Sequence, residues 1–377
     1  MAALLAGVDP GGLLEYSVVY TDRALNHMSQ NFQTVMRDIS VLLKEVYRST
    51  AVIVVPGNGT LAMEAVARQF ATGRRCLVIR NGWFSYRWSQ IFEVGSIPAQ
   101  ETVMKARPVA GGPMAAYAPA PIEEVEAAIA EQRPELVFAT HVETAAGLML
   151  PEEYISRLAD AVHRVGGLLV LDCVASGTIW VDMAATGVDI LITAPQKGWS
   201  SSPCCGLVML GERGMQHIEE TTSTSFAVDL KKWLRIMQTY ESGSHAYHAT
   251  LPTDALARLR DTIAEIKTFG FAAARQRQEE LGRRVRALLR DKGIVSVAAE
   301  GFEAPGVVVS YTDDQELHTG RKFAEHGLQI AAGVPLCCDE PAGFQTFRIG
   351  LFGLEKLADV DGAVKRLSTV LDKLFPA

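Results

Sequence analysis

Cysteine is scarce in this chain, six in 377 residues, and four of the six stand in adjacent pairs, Cys204-Cys205 and Cys337-Cys338. So few thiols make no disulfide framework, and without any CxxC spacing the usual structural zinc motif is missing too. Reduced thiols point to a cytoplasmic protein, with the cysteines read as small packing residues. Long apolar runs are also absent, so no membrane span is expected. The opening MAALLAGVDPGG has no basic n-region, and its apolar stretch is too short for a secretory signal. Basic runs are lacking as well: 36 Lys and Arg against 43 Asp and Glu leave a net charge of -7. That balance offers no electrostatic footprint for nucleic acid or an anionic membrane, which leaves a small molecule as the expected partner. No internal repeat is visible.

What is present is bulk and pattern. A chain 48% hydrophobic and 377 residues long exceeds one simple domain, so a large core with a smaller satellite is expected. Phe32, Val35, Met36, Ile39, Leu42, Leu43 and Val46 recur at helical period behind Ser29, a suitable N-cap. Branched aliphatic runs follow at 51–55, 76–81, 136–141, 168–173, 189–194 and 206–210, most of them separated by helical patterns. Strands apolar on both faces and alternating with helices predict an α/β fold with a mainly parallel sheet covered on both sides. Residues 106–121, rich in Pro, Gly and Ala, read as an irregular loop before the helix IEEVEAAIAEQ. A charged helical stretch runs from Pro252 to about Lys292 and bends near Gly270. Apolar runs at 307–311 and 328–333 and a helix over 355–374 follow. The expected division is an N-terminal segment 1–25, a large unit 26–255 and a smaller α/β unit 256–377.

Ligands of such sheets bind at the carboxyl ends of the strands, and the polar signals fall there. Lys197 sits just past one strand among small residues; alone it reads as a solvated lysine. Asp172 ends another strand 25 residues earlier, and one strand-connection unit would bring both to the same edge. A carboxylate at the end of a buried strand needs a cation. A protonated pyridine nitrogen is one such cation, with the lysine carrying the cofactor's aldehyde as a Schiff base; a plain Asp172–Lys197 salt bridge is the alternative. In PGNGT, Gly57, Gly59 and Thr60 lead from a strand into a helix, whose exposed N–H groups suit a phosphate. The spacing matches neither the Walker nor the dinucleotide glycine pattern. NGWFSYRW (81–88) places aromatic rings at the sheet mouth, fit either for stacking on a flat cofactor or for core packing. HVETAAG (141–147) ends a further strand with polar groups. Arg348, in the apolar FRIG, calls for a carboxylate from a substrate or from an internal Asp or Glu. His245 and His248 have metal-ligand spacing, but no carboxylate or thiol cluster completes a set.

Taken in order, GNGTLAMEA, NGWFSYRW, HVETAAG, LDCVAS, APQKG, YHAT and FRIGLFG resemble the class V aminotransferases, in the alanine–glyoxylate and serine–glyoxylate branch, from roughly Asn26 to the C-terminus. The resemblance implies the pyridoxal-phosphate-dependent transferase fold of the aspartate-aminotransferase type, with a large, mainly parallel seven-stranded sheet and a smaller C-terminal α/β domain. It further implies that Gly59 and Thr60 hold the cofactor phosphate with Gln196 nearby, that Phe84 and Val174 cover the two faces of the pyridine ring, and that Thr144 also binds the cofactor. Asp172 would meet the ring nitrogen, Lys197 would form the Schiff base, and Arg348 would take the substrate carboxylate. Tyr247 and Thr250 would reach the phosphate of a neighbouring subunit, making a homodimer with shared active sites. The chain departs from the family in GGLLEYSVVYTDRALNHMS near the N-terminus, in Ala145 and Ala146 where hydroxyls are common, and in Ala249 in place of a histidine.

The expected activity is transfer of an amino group from a small amino acid to a keto acid such as glyoxylate or pyruvate. Two rivals share the cofactor: a lyase of the desulfurase or aldolase type, and a non-catalytic pyridoxal-phosphate-binding protein. Which amino donor fits depends on a few pocket contacts that the sequence does not name.

Overall fold

The computed structural model describes residues 13–376. The opening segment, read from the sequence as lacking a secretory signal, lies outside the described residues. Seven strands form one sheet: β1 (Ala51–Pro56), β2 (Arg75–Arg80), β3 (Gln100–Lys105), β4 (Leu136–Thr140), β5 (Leu168–Asp172), β6 (Ile190–Thr193) and β7 (Cys205–Leu210). Their spatial order is β1-β7-β6-β5-β4-β2-β3. All pairings are parallel except those of β7, which runs antiparallel to both β1 and β6. The α/β, mainly parallel architecture expected from the aliphatic runs is the one observed.

Six of the seven strands coincide with those runs. They are buried on both faces along nearly their whole length. The seventh, β3, was not among them. Its sequence QETVMK is polar because this edge is half-open to solvent, whereas β1 at the opposite edge is buried; charge there discourages pairing with other chains.

Helix α1 (Gln30–Tyr47) begins at Ser29, whose Oγ accepts the Phe32 N–H at 3.1 Å. It buries Phe32, Val35, Met36, Ile39, Leu42 and Leu43, the stripe expected from the period. Helix α2 (Gly59–Val66) follows β1, and α3 (Trp83–Gly95) follows β2. The long charged stretch forms α4 (Thr253–Phe269) and α5 (Phe271–Asp291), parted by Gly270 at φ 99°. Residue 256, where the smaller unit was expected to begin, falls in the first turn of α4. Leu256, Leu259, Ile263 and Ile266 of α4 are buried, and the helix packs on α1.

A separate three-stranded antiparallel sheet pairs β8 (Val307–Tyr311) and β9 (Ala331–Ala332) with β10 (Thr346–Gly350). Three expectations need correction here. Of 328–333, only Ala331 and Ala332 join the sheet. The segment 106–121 is not wholly irregular, because Arg107–Pro108 pairs with Tyr117–Ala118. The last helix is two, Leu354–Ala358 and α6 (Val360–Leu374), since the Asp359 carboxylate accepts the Gly362 N–H at 2.9 Å and starts a new helix. Among the described residues no helix is long and apolar enough to cross a membrane.

Candidate active site

The parallel register decides where the polar groups meet. Asp172 at the end of β5 stands opposite Thr140 of β4 and Ile192 of β6, so the carboxyl ends of three strands meet at one edge. There a partly open cavity is lined by Asn58, Gly59, Thr60, Met63, Phe84, Arg87, Thr140, Val142, Thr144, Asp172, Val174, Ala175, Gln196 and Lys197. Eight residues singled out in the sequence therefore come together: Gly59, Thr60, Phe84, Thr144, Asp172, Val174, Gln196 and Lys197.

The turn into α2 supplies one wall. Gly57 has φ 127°, a conformation L side chains rarely adopt. Asn58 caps the helix, its Oδ1 accepting the Leu61 N–H at 3.0 Å. A Cβ on Gly59 would lie 2.9 Å from Val174 Cγ2, so the helix N-terminus rests directly against the segment after β5. The amides of this first turn open on the cavity as a cradle for an anion.

Asp172 is 5% exposed, and its carboxylate accepts one bond, from the Val174 N–H at 2.8 Å. Burial raises its pKa to about 6, opposed by that bond and by the charge of Lys197. Lys197 is shifted the other way: burial lowers its pKa, and Asp172 partly offsets this. No N···O approach within 4 Å joins the two, so the plain salt bridge is not formed. The Lys197 Nζ lies 5.6 Å from the Phe84 ring centroid and 6.0 Å from that of Phe352. Its loop is held by close packing. A Cβ on Gly198 would fall 2.0 Å from the Gly177 carbonyl oxygen, and the buried Trp199 stacks on Trp180 at 4.5 Å.

Arg348, on β10, donates from Nε to the Ala332 carbonyl at 2.7 Å and from Nη1 to the Thr144 carbonyl at 3.4 Å. Its guanidinium lies 5.6 Å from the Phe84 ring centroid. Among the described residues no carboxylate pairs with it within 4 Å, and burial lowers its pKa. The internal Asp or Glu partner weighed from the sequence is absent.

The other aromatic side chains of NGWFSYRW divide. Phe84 reaches the cavity, whereas Trp88 is fully buried 4.6 Å from Phe138 and Tyr86 lies under the Arg80 guanidinium. Tyr247 and Thr250 do not line the cavity. They are exposed and hydrogen-bonded to each other at 3.1 Å. His248 donates from Nε2 to the Phe226 carbonyl at 2.9 Å, and no group of three or more His, Cys, Asp or Glu suited to a metal occurs among the described residues. All six cysteines are unpaired, and none lines the cavity.

Two residues escaped the sequence reading. Glu143 is fully buried, and its carboxylate accepts the N–H groups of Phe84, Ser85 and Ala145 and the Ser85 hydroxyl. It thus caps the first turn of α3 from another strand and fixes where Phe84 points. Its partners on α3 are 58 and 59 residues away, so no local spacing marks its tie to that helix. Arg87, on the same helix face as Phe84 three residues earlier, also reaches the cavity; that spacing was a usable signal.

A flat, phosphorylated pyridine with a protonated nitrogen fits these residues. Asp172 is a buried carboxylate facing the cavity with no cation against it, and the Thr140 Oγ1 in the same wall is buried without a hydrogen-bond partner. Such groups are costly unless a ligand completes them.

The family model "Aminotransferase class-V" matches residues 13–342. Alanine–glyoxylate aminotransferase of Rattus norvegicus is 28% identical over 278 residues, 72% of this chain but 64% of the rat protein, slightly under two thirds of it. The small subunit of a soluble hydrogenase of Synechococcus is 25% identical over 93% of this chain and 88% of its own length. Among solved structures, alanine–glyoxylate aminotransferase from Nostoc superposes with a TM-score of 0.77 at 24% identity, covering 92% of this chain and 88% of that one.

Proposed function

The chain belongs to the class-V aminotransferase family, and from that premise we propose that it is a pyridoxal-phosphate-dependent transaminase moving an amino group from a small amino acid to a keto acid such as glyoxylate or pyruvate. The observation that carries this reading is the unpaired Asp172 carboxylate in the cavity wall, with Lys197 and the carboxylate-free Arg348 each 5.6 Å from the Phe84 ring centroid. Bound there, pyridoxal phosphate supplies an electron-withdrawing ring that stabilises negative charge at the Cα of an amino acid.

The chain's own residues do the rest. Asp172 holds the ring nitrogen in its protonated form, since a buried carboxylate is most stable against a cation. Phe84 and Val174 cover the two ring faces. The first-turn amide of Gly59 and the Thr60 hydroxyl bind the phosphate, with Gln196 at the mouth and Thr144 in the wall. Lys197 would hold the cofactor's aldehyde; burial lowers its pKa, which favours the neutral amine able to take up a proton from Cα at its Nζ. Arg348 keeps its outer Nη free for the substrate carboxylate while Nε is tied to Ala332.

Tyr247 and Thr250 act in the partner's site. Their exposure supports this, as does the exposed apolar row Leu13, Leu14, Tyr16 and Val18, a surface that a second copy would cover. The protein belongs in the cytoplasm, where the six unpaired cysteines of each chain stay reduced. A desulfurase would need a thiol at the cavity, and none of the cysteines lines it.

The test is to mix the cofactor-loaded enzyme with single amino acids and record which ones bleach the visible band of the lysine-bound cofactor and accumulate its amine form. Lys197→Ala should abolish that band and catalytic turnover. Retention of both would overturn the reading, and cofactor binding without turnover across a broad panel of donors and acceptors would restore the non-catalytic alternative.

A further inference from the structure

We propose that Arg87 is the cation that neutralises the cofactor phosphate, an inference that rests on the pyridoxal-phosphate reading above. The cavity has only two lining residues of positive charge, Lys197 and Arg87. Lys197 is committed to the aldehyde and, among the described residues, makes no hydrogen bond to the α2 turn. Arg87 faces the turn itself: its Nη1 donates to the Thr60 Oγ1 at 2.9 Å.

Three observations converge on this role. Arg87 makes no ion pair with a carboxylate within 4 Å among the described residues, so its charge is free for a ligand. Its guanidinium stands 5.2 Å from the Phe84 ring centroid, and both side chains line the cavity. The first turn of α2 contains no basic residue, so the amides there offer partial charges only, and a phosphate dianion is left undercompensated without Arg87. The guanidinium also completes a structural chain: Glu143 pins the start of α3, and Arg87 lies one turn further along the same helix.

The hydroxyl of Thr60 then has two parts. It positions Arg87 as acceptor while its own proton remains free to donate to a phosphate oxygen. Arg87 is accordingly a binding residue for the phosphate end, with no part in proton transfer at Cα.

The experiment compares Arg87→Met and Arg87→Lys with the unchanged enzyme, each as the full chain stripped of cofactor. The probes are pyridoxine 5′-phosphate and pyridoxine, which lack the aldehyde, so the covalent link to Lys197 cannot mask a loss. Inorganic phosphate serves as a third probe, and affinities are read by calorimetry. Removing a charge-assisted contact should weaken pyridoxine 5′-phosphate and inorganic phosphate roughly 10- to 100-fold in Arg87→Met. Pyridoxine itself should change less than about threefold, and Arg87→Lys should recover part of the loss. Equal weakening of pyridoxine and its phosphate would mean that Arg87 only supports Phe84, and no weakening of either would leave it without a binding role; both results overturn the proposal. Failure of the unchanged enzyme to bind pyridoxal phosphate would instead overturn the cofactor reading.

Discussion

Replacing Asp172 by asparagine should stabilise the cofactor-free protein while weakening its hold on the cofactor, two effects of opposite sign from one side chain. In the unfolded chain a carboxyl at this position loses its proton near 3.8, whereas in the fold burial holds the proton until about 6. Between those values the native state binds more protons than the unfolded state, so stability falls as pH rises through the window. One pKa unit is worth about 1.4 kcal/mol, so above pH 6 the buried charge costs the cofactor-free fold about 3 kcal/mol. The penalty is about half that at pH 5 and vanishes below about pH 4. The asparagine side chain of Asp172→Asn would keep the shape of the protonated carboxyl and accept the Val174 N–H as Asp172 does. With an unfolding entropy of about 2.1 cal/mol/K per residue, the gain is about 4 °C in Tm at pH 7.5 for a chain of this length. Thermal unfolding of the two cofactor-free proteins between pH 5 and 8 measures it. In the same samples, the affinity for pyridoxal phosphate should fall roughly 10- to 150-fold, the worth of one charged hydrogen bond. A Tm gain absent at pH 7.5, or as large at pH 5 as at pH 8, would refute the reasoning, because no uncompensated charge would then be present.

The other predictions concern the substrate, the lysine loop and the partner subunit. Arg348→Gln should lower kcat/KM for the amino donor roughly 10- to 100-fold, mainly through KM, because its guanidinium has no internal carboxylate to release; steady-state kinetics with an unchanged kcat and KM would count against a carboxylate-binding role. Gly198→Ala should destabilise the fold by at least about 2 kcal/mol in urea, since the added Cβ would fall 2.0 Å from the Gly177 carbonyl oxygen and the backbone must move. The displaced loop should also reduce turnover. Inactive Lys197→Ala and Tyr247→Ala proteins, denatured and renatured together, should recover about a quarter of the normal activity, because half the dimers are mixed and each mixed dimer has one intact site. No recovery would argue that Tyr247 serves its own subunit.

Much of this architecture is written in local pattern. Six strands of the large sheet are runs of Val, Ile and Leu buried on both faces, and a run of that kind has few other stable environments. The N-cap of α1 and the break at Gly270 are equally local, depending on one hydroxyl and one backbone conformation. The edge strand β3 was illegible for the converse reason: QETVMK carries the polarity of a solvent-facing border, and only its pairing with β2 identifies it. Helix α4 shows a further limit. Its charge resembles that of α5, yet its buried leucines and isoleucines lie on α1.

At the site, residue types and their order determined the chemistry. A lysine and an aspartate at the ends of neighbouring strands, a glycine-rich turn before a helix, and an arginine in an apolar strand specify which groups are available, because strand ends in a parallel sheet must share one edge. Tertiary structure alone decided their pairing states. It left Asp172 without a cation and Arg348 without a carboxylate, and it turned Phe84 toward the cavity while Trp88 went to the core. It also brought in Glu143 and Arg87 through hydrogen bonds to residues 58 and 27 positions away. The reason is physical: a buried charge is stabilised or stranded by whatever stands within a few ångströms, and that neighbourhood is set by packing across the sheet, not by distance along the chain.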